Sequence, residues 1–242
     1  MRRIGMLTSG GDCQALNATM RGVAKSLYNM FDDVEIIGFE DGYKGLMYAD
    51  YQIMKSSDFS GILTQGGTIL GTSRQPFKLM RTPDENGLDK VEAMKHTYKK
   101  LKLSCLVVLG GNGSQKTANM LSEEGLNVVS LPKTIDNDIA ITDHTPGYGS
   151  AARFIAASAA EVGADVKALP IHVCVMEAMG RNAGWITAAS ALARKKPGDA
   201  PHLIYLPERP FHEEEFLEDV KRLYEEKGGV VVVASEGLKN EK

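Results

Sequence analysis

Two patterns of apolar residues alternate along the chain. Short, nearly continuous apolar runs recur at 3–9 (RIGMLTS), 34–40 (VEIIGFE), 104–111 (SCLVVLGG), 127–133 (NVVSLPK), 172–180 (HVCVMEAMG), 202–208 (HLIYLPE) and 230–237 (VVVVASEG). Between them lie segments in which apolar residues are spaced by three and four, at 15–30, 89–101, 114–125, 149–166, 181–196 and 212–229. In 89–101, for example, Val91, Met94, Tyr98 and Leu101 fall on one helical face. The runs predict strands buried on both faces, and the intervening segments predict helices. Strand–helix alternation of this kind predicts an α/β fold with mostly parallel sheets. Gly125 marks a helix end. Residues 74–90 (RQPFKLMRTPDENGLDK) are polar and turn-rich and predict a loop or, in part, a lid. A Pro/Gly break at 143–150 marks a domain boundary, with units expected at 1–148 and 149–242.

Composition narrows the function classes. With 242 residues the chain is long enough for one large domain or two smaller ones, each with a core. The net charge of -3 leaves no basic footprint for nucleic acid. No apolar run approaches the roughly 18 residues that span a bilayer, and the start MRRIGMLTSGG has no leader-like apolar stretch. The expectation is a cytoplasmic protein with no membrane or nucleic-acid partner. The three cysteines, Cys13, Cys105 and Cys174, are widely separated and read as reduced thiols, with Cys105 and Cys174 as buried small hydrophobes.

Glycines cluster where the predicted strands end: Gly10-Gly11-Asp12 after the first, Gly110-Gly111-Asn112-Gly113-Ser114 after the third, Gly180 after the fifth and Gly237 after the last. A glycine lets the backbone approach a ligand closely, and free N–H groups at a helix start attract phosphate. Each such stretch alone also reads as a tight turn; several along one sheet edge point to a phosphorylated ligand. There is no GxxxxGK[ST] motif, and no GxGxxG follows the first strand. Arg74, which ends GGTILGTSR, reads either as a phosphate clamp or as a solvated loop residue. PKTIDND (132–138) gathers Lys133, Thr134, Asp136 and Asp138 at a strand end. One carboxylate is suited to accept a hydroxyl proton, the other to help hold a divalent metal; the lysine neutralises phosphate and the threonine hydrogen-bonds it. MEAMGR adds Glu177 and Arg181, and SEG adds Glu236, a carboxylate suited to sugar hydroxyls. Met179 and Trp185 read as packing.

TSGGDCQALNA, GGTILGTSR, GGNGSQKTA, PKTIDND, MEAMGRNAG and ASEG, in this order and spacing, resemble the 6-phosphofructokinase family over essentially the whole chain. The resemblance implies two Rossmann-like three-layer α/β domains with the active site in the cleft between them. The donor domain would be 1–148 and the fructose 6-phosphate domain 149–242. It implies phosphoryl transfer to the 1-hydroxyl of fructose 6-phosphate with Mg2+, by a homodimer or homotetramer. Asp136 matches the catalytic base. Thr134 matches a residue near the transferring phosphate, and Asp138 a carboxylate of the metal–phosphate region, with Arg181 completing the catalytic set. Gly11, Arg74, Gln75, Gly111, Asn112, Gly113, Ser114 and Lys133 match donor-binding positions. Thr134, Ile135, Asp136, Met179, Gly180, Arg181 and Glu236 match sugar-phosphate positions. His172 matches a residue that reaches into a neighbouring subunit's site. The metal positions are Asn112, Asp136 and Asp138.

Three departures from the family pattern stand out. Asn112 replaces the usual magnesium-associated aspartate. Gly113 leaves room for ATP, whereas Lys133 resembles the pyrophosphate-using members; ATP is the expected donor and pyrophosphate the alternative. The chain also stops soon after ASEG, where family members continue, which reads as a fragment. A non-catalytic binding module is a further alternative. A dinucleotide oxidoreductase would use Glu40 at the end of the second strand, but its glycine fingerprint is absent.

Overall fold

The computed structural model describes residues 1–240. They form two compact units, Met1–Thr134 and the residues from Ile135 onward. The first unit contains β1 (Arg2–Ser9), α1 (Leu16–Met30), β2 (Val34–Phe39), α2 (Tyr43–Tyr48), β3 (Tyr51–Met54), α3 (Lys90–Lys100), β4 (Cys105–Gly110), α4 (Asn112–Glu123) and β5 (Val128–Pro132). The second contains α5 (Tyr148–Ala168), β6 (Val173–Ala178), α6 (Trp185–Ala189), β7 (Leu203–Tyr205), α7 (Glu213–Lys227) and β8 (Val230–Ser235).

The sheet of the first unit runs β3-β2-β1-β4-β5, parallel throughout except for the antiparallel edge pair β2–β3. Its strands read as apolar runs because both faces are covered: neighbours Met6 and Leu7 point to opposite faces of β1 and both are fully buried. One face, with Leu7, Ile37, Phe39, Leu106 and Val108, packs on Leu46, Met94, Ala118 and Leu121. α3 starts where Asp89 accepts hydrogen bonds from the Val91 and Glu92 amides, an N-cap. The polar 74–90 segment contains a single 3₁₀ turn, Phe77–Leu79. It is tied at Asp84, which accepts from the Asn86 and Leu88 amides and from the Tyr48 hydroxyl.

The second unit has a parallel sheet of order β6-β8-β7. Residues of β8 alternate between two helical layers. Val233 packs with Ala152, Ile155, Ala178 and Ile186, whereas Val230 and Val232 pack with Leu223, Phe216 and Val220. The chain turns into β8 at Gly228, left-handed at φ 73° after α7.

The α/β class and the mostly parallel sheets agree with the sequence reading; several details differ. The unit boundary lies at 134/135, upstream of 148, because Ile135 packs on the second unit's core and the 137–145 loop is hydrogen-bonded within that unit. The helix expected over 181–196 shrinks to α6 plus a 3₁₀ turn, Ser190–Ala193. Its first turn cannot form: Gly180 sits at φ 115°, and the Gly184 amide donates to Glu208 Oε1 at 2.6 Å instead. α2 and β3 are additions, too short to show a period. Cys13 is the buried cysteine, while Cys105 and Cys174 are half-buried at sheet positions.

At the amino ends of β7 and β8, the Val231 amide donates to His202 Nδ1 at 2.9 Å, so this imidazole is held as an acceptor. Burial, with the Lys227 and Arg194 charges, pulls its pKa below the ordinary value. The unfolded chain therefore takes up the proton first, and stability is lost as the pH falls below about 6.5. Urea unfolding between pH 7.5 and pH 5.5 is expected to show this loss. His202→Asn, which keeps an acceptor and removes the titration, is expected to flatten it. An unchanged slope in the variant contradicts the assignment.

Candidate active site

The register of the first sheet builds a site without help from side chains. Ser9 of β1 pairs with Gly110 of β4, and Gly110 with Pro132 of β5. Three strands thus end in one row, and the three segments that follow emerge side by side: Gly10-Gly11, Gly111-Asn112 and Lys133-Thr134. The strand order reverses between β1 and β4, since β2 lies on one side of β1 and β4 on the other. In open parallel sheets such a switch point leaves a crevice at the carboxyl ends of the strands.

A pocket of about 330 Å³ occupies that crevice, lined by Ser9, Gly10, Gly11, Arg74, Gln75, Pro76, Phe77, Gly111, Asn112, Gly113 and Ser114. Seven of the donor-binding positions named from the sequence therefore line one cavity: Gly11, Arg74, Gln75, Gly111, Asn112, Gly113 and Ser114. The eighth, Lys133, stands at its margin. Its Nζ lies 3.7 Å from where a Cβ on Gly11 would be, and its amide donates to the Gly110 carbonyl at 3.0 Å.

The turn from β4 into α4 takes one residue, Gly111, which is the N-cap. The amides of Asn112, Gly113 and Ser114 then have no carbonyl within the helix to donate to, and they carry the positive end of the helix dipole. The turn is this tight because position 110 is glycine: an added Cβ would lie 2.5 Å from Ser114 Cβ and 2.7 Å from the Ser9 carbonyl. The Ser114 hydroxyl donates to that Ser9 carbonyl at 3.0 Å, and the fully buried Tyr43 hydroxyl donates to the Ser114 carbonyl at 2.8 Å. Burial raises the Tyr43 phenol far above its ordinary pKa, so it stays a donor. Ser114 contributes its amide to the pocket, since its hydroxyl proton is engaged elsewhere. A Cβ at Gly113 would meet nothing within 4 Å.

In the second unit the same logic runs with a carboxylate. Ala178 pairs with Ser235 at the ends of β6 and β8. Glu236 accepts from the Gly180 amide at 3.2 Å and pairs with Arg181 at 3.7 Å, while Ser235 Oγ donates to the Gly180 carbonyl at 2.8 Å. Gly180, Arg181 and Glu236 are thus brought together. Arg181 is 75% exposed, free to swing towards an anion. Met179 and Trp185, expected as packing residues, are 59% and 53% exposed, because Met179 sits past the strand end and Trp185 is the first residue of a one-turn helix. Trp185 instead stacks edge-on against Tyr148 at 6.4 Å.

His172 lies apart from this group. It precedes β6, whereas Met179 and Gly180 follow it, roughly 20 Å along the strand. There its Nδ1 bonds to the Tyr224 hydroxyl at 2.8 Å. A larger cavity of about 670 Å³, lined in part by Lys167, Lys195, His202 and Lys227, also lies at the amino ends of β7 and β8, away from the Gly180–Glu236 end.

Within PKTIDND, Asp136 and Ile135 are half-buried and Asp138 is exposed. Thr134 closes the first unit. The residue between the aspartates was not singled out from sequence, yet it shapes the loop. Asn137 is buried and left-handed (φ 57°); its amide donates to the Asp143 carbonyl at 3.1 Å and its Oδ1 accepts from the Thr145 amide at 2.9 Å. Asparagine's tolerance of this conformation is the signal that the sequence offered. Among the described residues, no group of three or more His, Cys, Asp or Glu side chains is placed to hold a metal by itself. No helix of the described residues is long and apolar enough to cross a membrane.

Comparison with known proteins gives a consistent picture. The family model for phosphofructokinase matches residues 3–242. An ATP-dependent 6-phosphofructokinase of Spirochaeta thermophila is 48% identical over 217 residues, covering 87% of this chain and 56% of that protein. A pyrophosphate–fructose 6-phosphate 1-phosphotransferase of Amycolatopsis methanolica is 37% identical over 236 residues, covering 97% of this chain and 65% of that protein. The crystal structure of a pyrophosphate-dependent phosphofructokinase from Marinobacter aquaeolei superposes with a TM-score of 0.85 at 29% identity, over 100% of this chain and 62% of that one. The chain thus spans little more than half the length of the Spirochaeta relative.

Asn137 provides a test of the loop geometry. Asn137→Ala loses both hydrogen bonds and keeps a Cβ in the left-handed region without asparagine's local compensation; Asn137→Gly loses the bonds but also removes the Cβ. Denaturant titrations are expected to place the alanine variant below the glycine variant by about 1–2 kcal/mol. Equal stabilities contradict the left-handed assignment.

Proposed function

The chain belongs to the phosphofructokinase family, and we propose that it takes part in the reaction named for its ATP-dependent relatives: transfer of the terminal phosphoryl group of ATP to the 1-hydroxyl of fructose 6-phosphate, giving fructose 1,6-bisphosphate in glycolysis. The observation that carries the choice of donor is the open space at Gly113, on the first turn of α4, where nothing lies within 4 Å of an added Cβ. A nucleotide's inner phosphate and ribose have room there. The amides of Asn112, Gly113 and Ser114 and the side chain of Arg74 suit the phosphate oxygens.

In this reading Asp136 takes the proton of the 1-hydroxyl as its oxygen bonds to the γ-phosphorus and the bond to ADP breaks. Thr134 and Arg181 bear on the transferring group, and Ile135, Met179, Gly180 and Glu236 on the sugar phosphate. The ionised Glu236 is suited to sugar hydroxyls, which donate to it. Asp136, Asp138 and the Asn112 amide would each offer oxygen, the kind of ligand Mg2+ takes, since it uses one or two carboxylates and fills its remaining positions with water and substrate phosphate. When bound, Mg2+ would supply neutralisation of the phosphate charge. The position of His172, remote from Gly180 along β6, supports its use in a neighbouring subunit's site, hence a homodimer or homotetramer. The setting that fits these substrates is the cytoplasm.

A second reading is transfer from pyrophosphate. It is favoured by Lys133, whose ammonium stands over Gly11 and takes up space on the donor side of the pocket.

The test is phosphoryl transfer by the gene product to fructose 6-phosphate with Mg2+, with ATP and pyrophosphate in parallel. Turnover with ATP and none with pyrophosphate is expected; the reverse selects the second reading, and turnover with neither selects a non-catalytic homologue. Gly113→Asp is expected to abolish use of ATP by filling the open position with a like charge. Asp136→Ser is expected to lower kcat by about 10²–10⁴-fold with the sugar-phosphate KM changed only a few-fold. Equal losses in both contradict Asp136 as the base.

A further inference from the structure

Arg74 enters the donor pocket from a segment with no regular secondary structure, residues 65–73, and its aim therefore depends on what holds that segment. The holding groups come from α1, from β1 with the Gly10 that follows it, and from Asp41, whose amide donates to the Leu70 carbonyl at 2.9 Å and whose carbonyl accepts from the Ser73 hydroxyl. Asn17, in the first turn of α1, is fully buried. Its Nδ2 donates to the Gln65 carbonyl at 3.1 Å and the Gly66 carbonyl at 3.3 Å, and its Oδ1 accepts from the Ile69 amide at 2.8 Å. Its backbone amide donates to the Gly67 carbonyl at 3.0 Å. Further along, the buried Thr8 hydroxyl meets Thr68 Oγ1 at 2.8 Å and donates to the Gly71 carbonyl at 2.6 Å. The Thr72 hydroxyl then donates to the Gly10 carbonyl at 2.8 Å, and the Gly10 amide to the Ser73 carbonyl at 3.2 Å. The ties follow one another up to the residue before Arg74.

We propose that Asn17 is a positioning residue for the phosphoryl donor: it fixes the 65–73 segment against α1 and thereby sets Arg74 in the pocket. The inference rests on the reading of that pocket as the donor site. The chemistry admits few substitutes. One end of the side chain must donate two hydrogen bonds while the other accepts one, in a space closed to water. An aspartate of the same shape presents oxygen to two carbonyls and repels both. The buried pairing is costly to break on one side only, so the segment shifts rather than tolerate it.

A double-mutant cycle tests this by calorimetric titration of MgATP, and of magnesium pyrophosphate, into the protein. Arg74→Ala removes a charge-assisted bond and is expected to weaken donor binding by about tenfold or more. Asn17→Asp is expected to weaken it severalfold, with fructose 6-phosphate binding unchanged. Combined with Arg74→Ala, Asn17→Asp is expected to add almost nothing, because its effect passes through the arginine. Thr72→Val, near-isosteric and half-buried, removes the Thr72 side-chain tie to Gly10, two residues before Arg74, and carries the same cycle if Asn17→Asp does not fold. Effects that persist in full in the Arg74→Ala background, or that weaken sugar-phosphate binding equally, overturn the inference and leave a structural role. If the unmodified protein binds neither ATP nor pyrophosphate, the donor reading itself fails, and the inference with it.

Discussion

The first unit depends on the register between β1 and β4. With Ser9 opposite Gly110, the two strands run out together, and the Ser9 carbonyl receives the Ser114 hydroxyl across the turn. A shift of one residue would exchange the faces of β4, putting Val107 where Val108 packs and moving the glycine turn away from Gly10. It would also separate the Gly10 ties to Thr72 and Ser73 from the pocket they frame. The hydrophobic pattern of the strands and the position of the glycine turn are therefore one constraint. Burial of Leu106, Val108 and Leu109 fixes the register, and the register places the amides.

In the proposed reading, the second unit would meet a different ligand requirement at the equivalent strand ends. The first unit offers an anion N–H groups and cationic side chains, which need glycine so that backbone can approach. Hydroxyl groups can donate, so a sugar is suited by an acceptor, and Glu236 supplies one. That carboxylate is steadied by the Gly180 amide on one side and by Arg181 on the other. Exposed Arg181 remains available to an anion, and losing it would leave Glu236 with its backbone partner.

Much of this was legible in the sequence because it depends on local rules. Continuous apolar runs mean doubly covered parallel strands, and glycines at their ends mean tight turns with accessible backbone; the glycine-loop positions line one pocket together with Arg74 and Gln75. What stayed hidden depends on partners distant in sequence. Asn17 is an unremarkable helix residue until residues 65–69 fold back over it. The α6 segment has a helical pattern, but Glu208 captures the amide that would start it. Asn137 was eclipsed by the two aspartates beside it. Met179 and Trp185 looked like core by composition, although the strand end and one-turn helix that carry them leave both in the open.

The central claim is that backbone amides at the ends of β1 and β4 bind the phosphates of the donor. The most direct measurement is amide NMR of the protein titrated with MgATP. The account predicts that saturable shifts concentrate at Gly11, Gly111, Asn112, Gly113 and Ser114, with a companion shift at Arg74. Shifts confined to the lysine-lined cavity at the amino ends of β7 and β8, with these five amides unmoved, would contradict it.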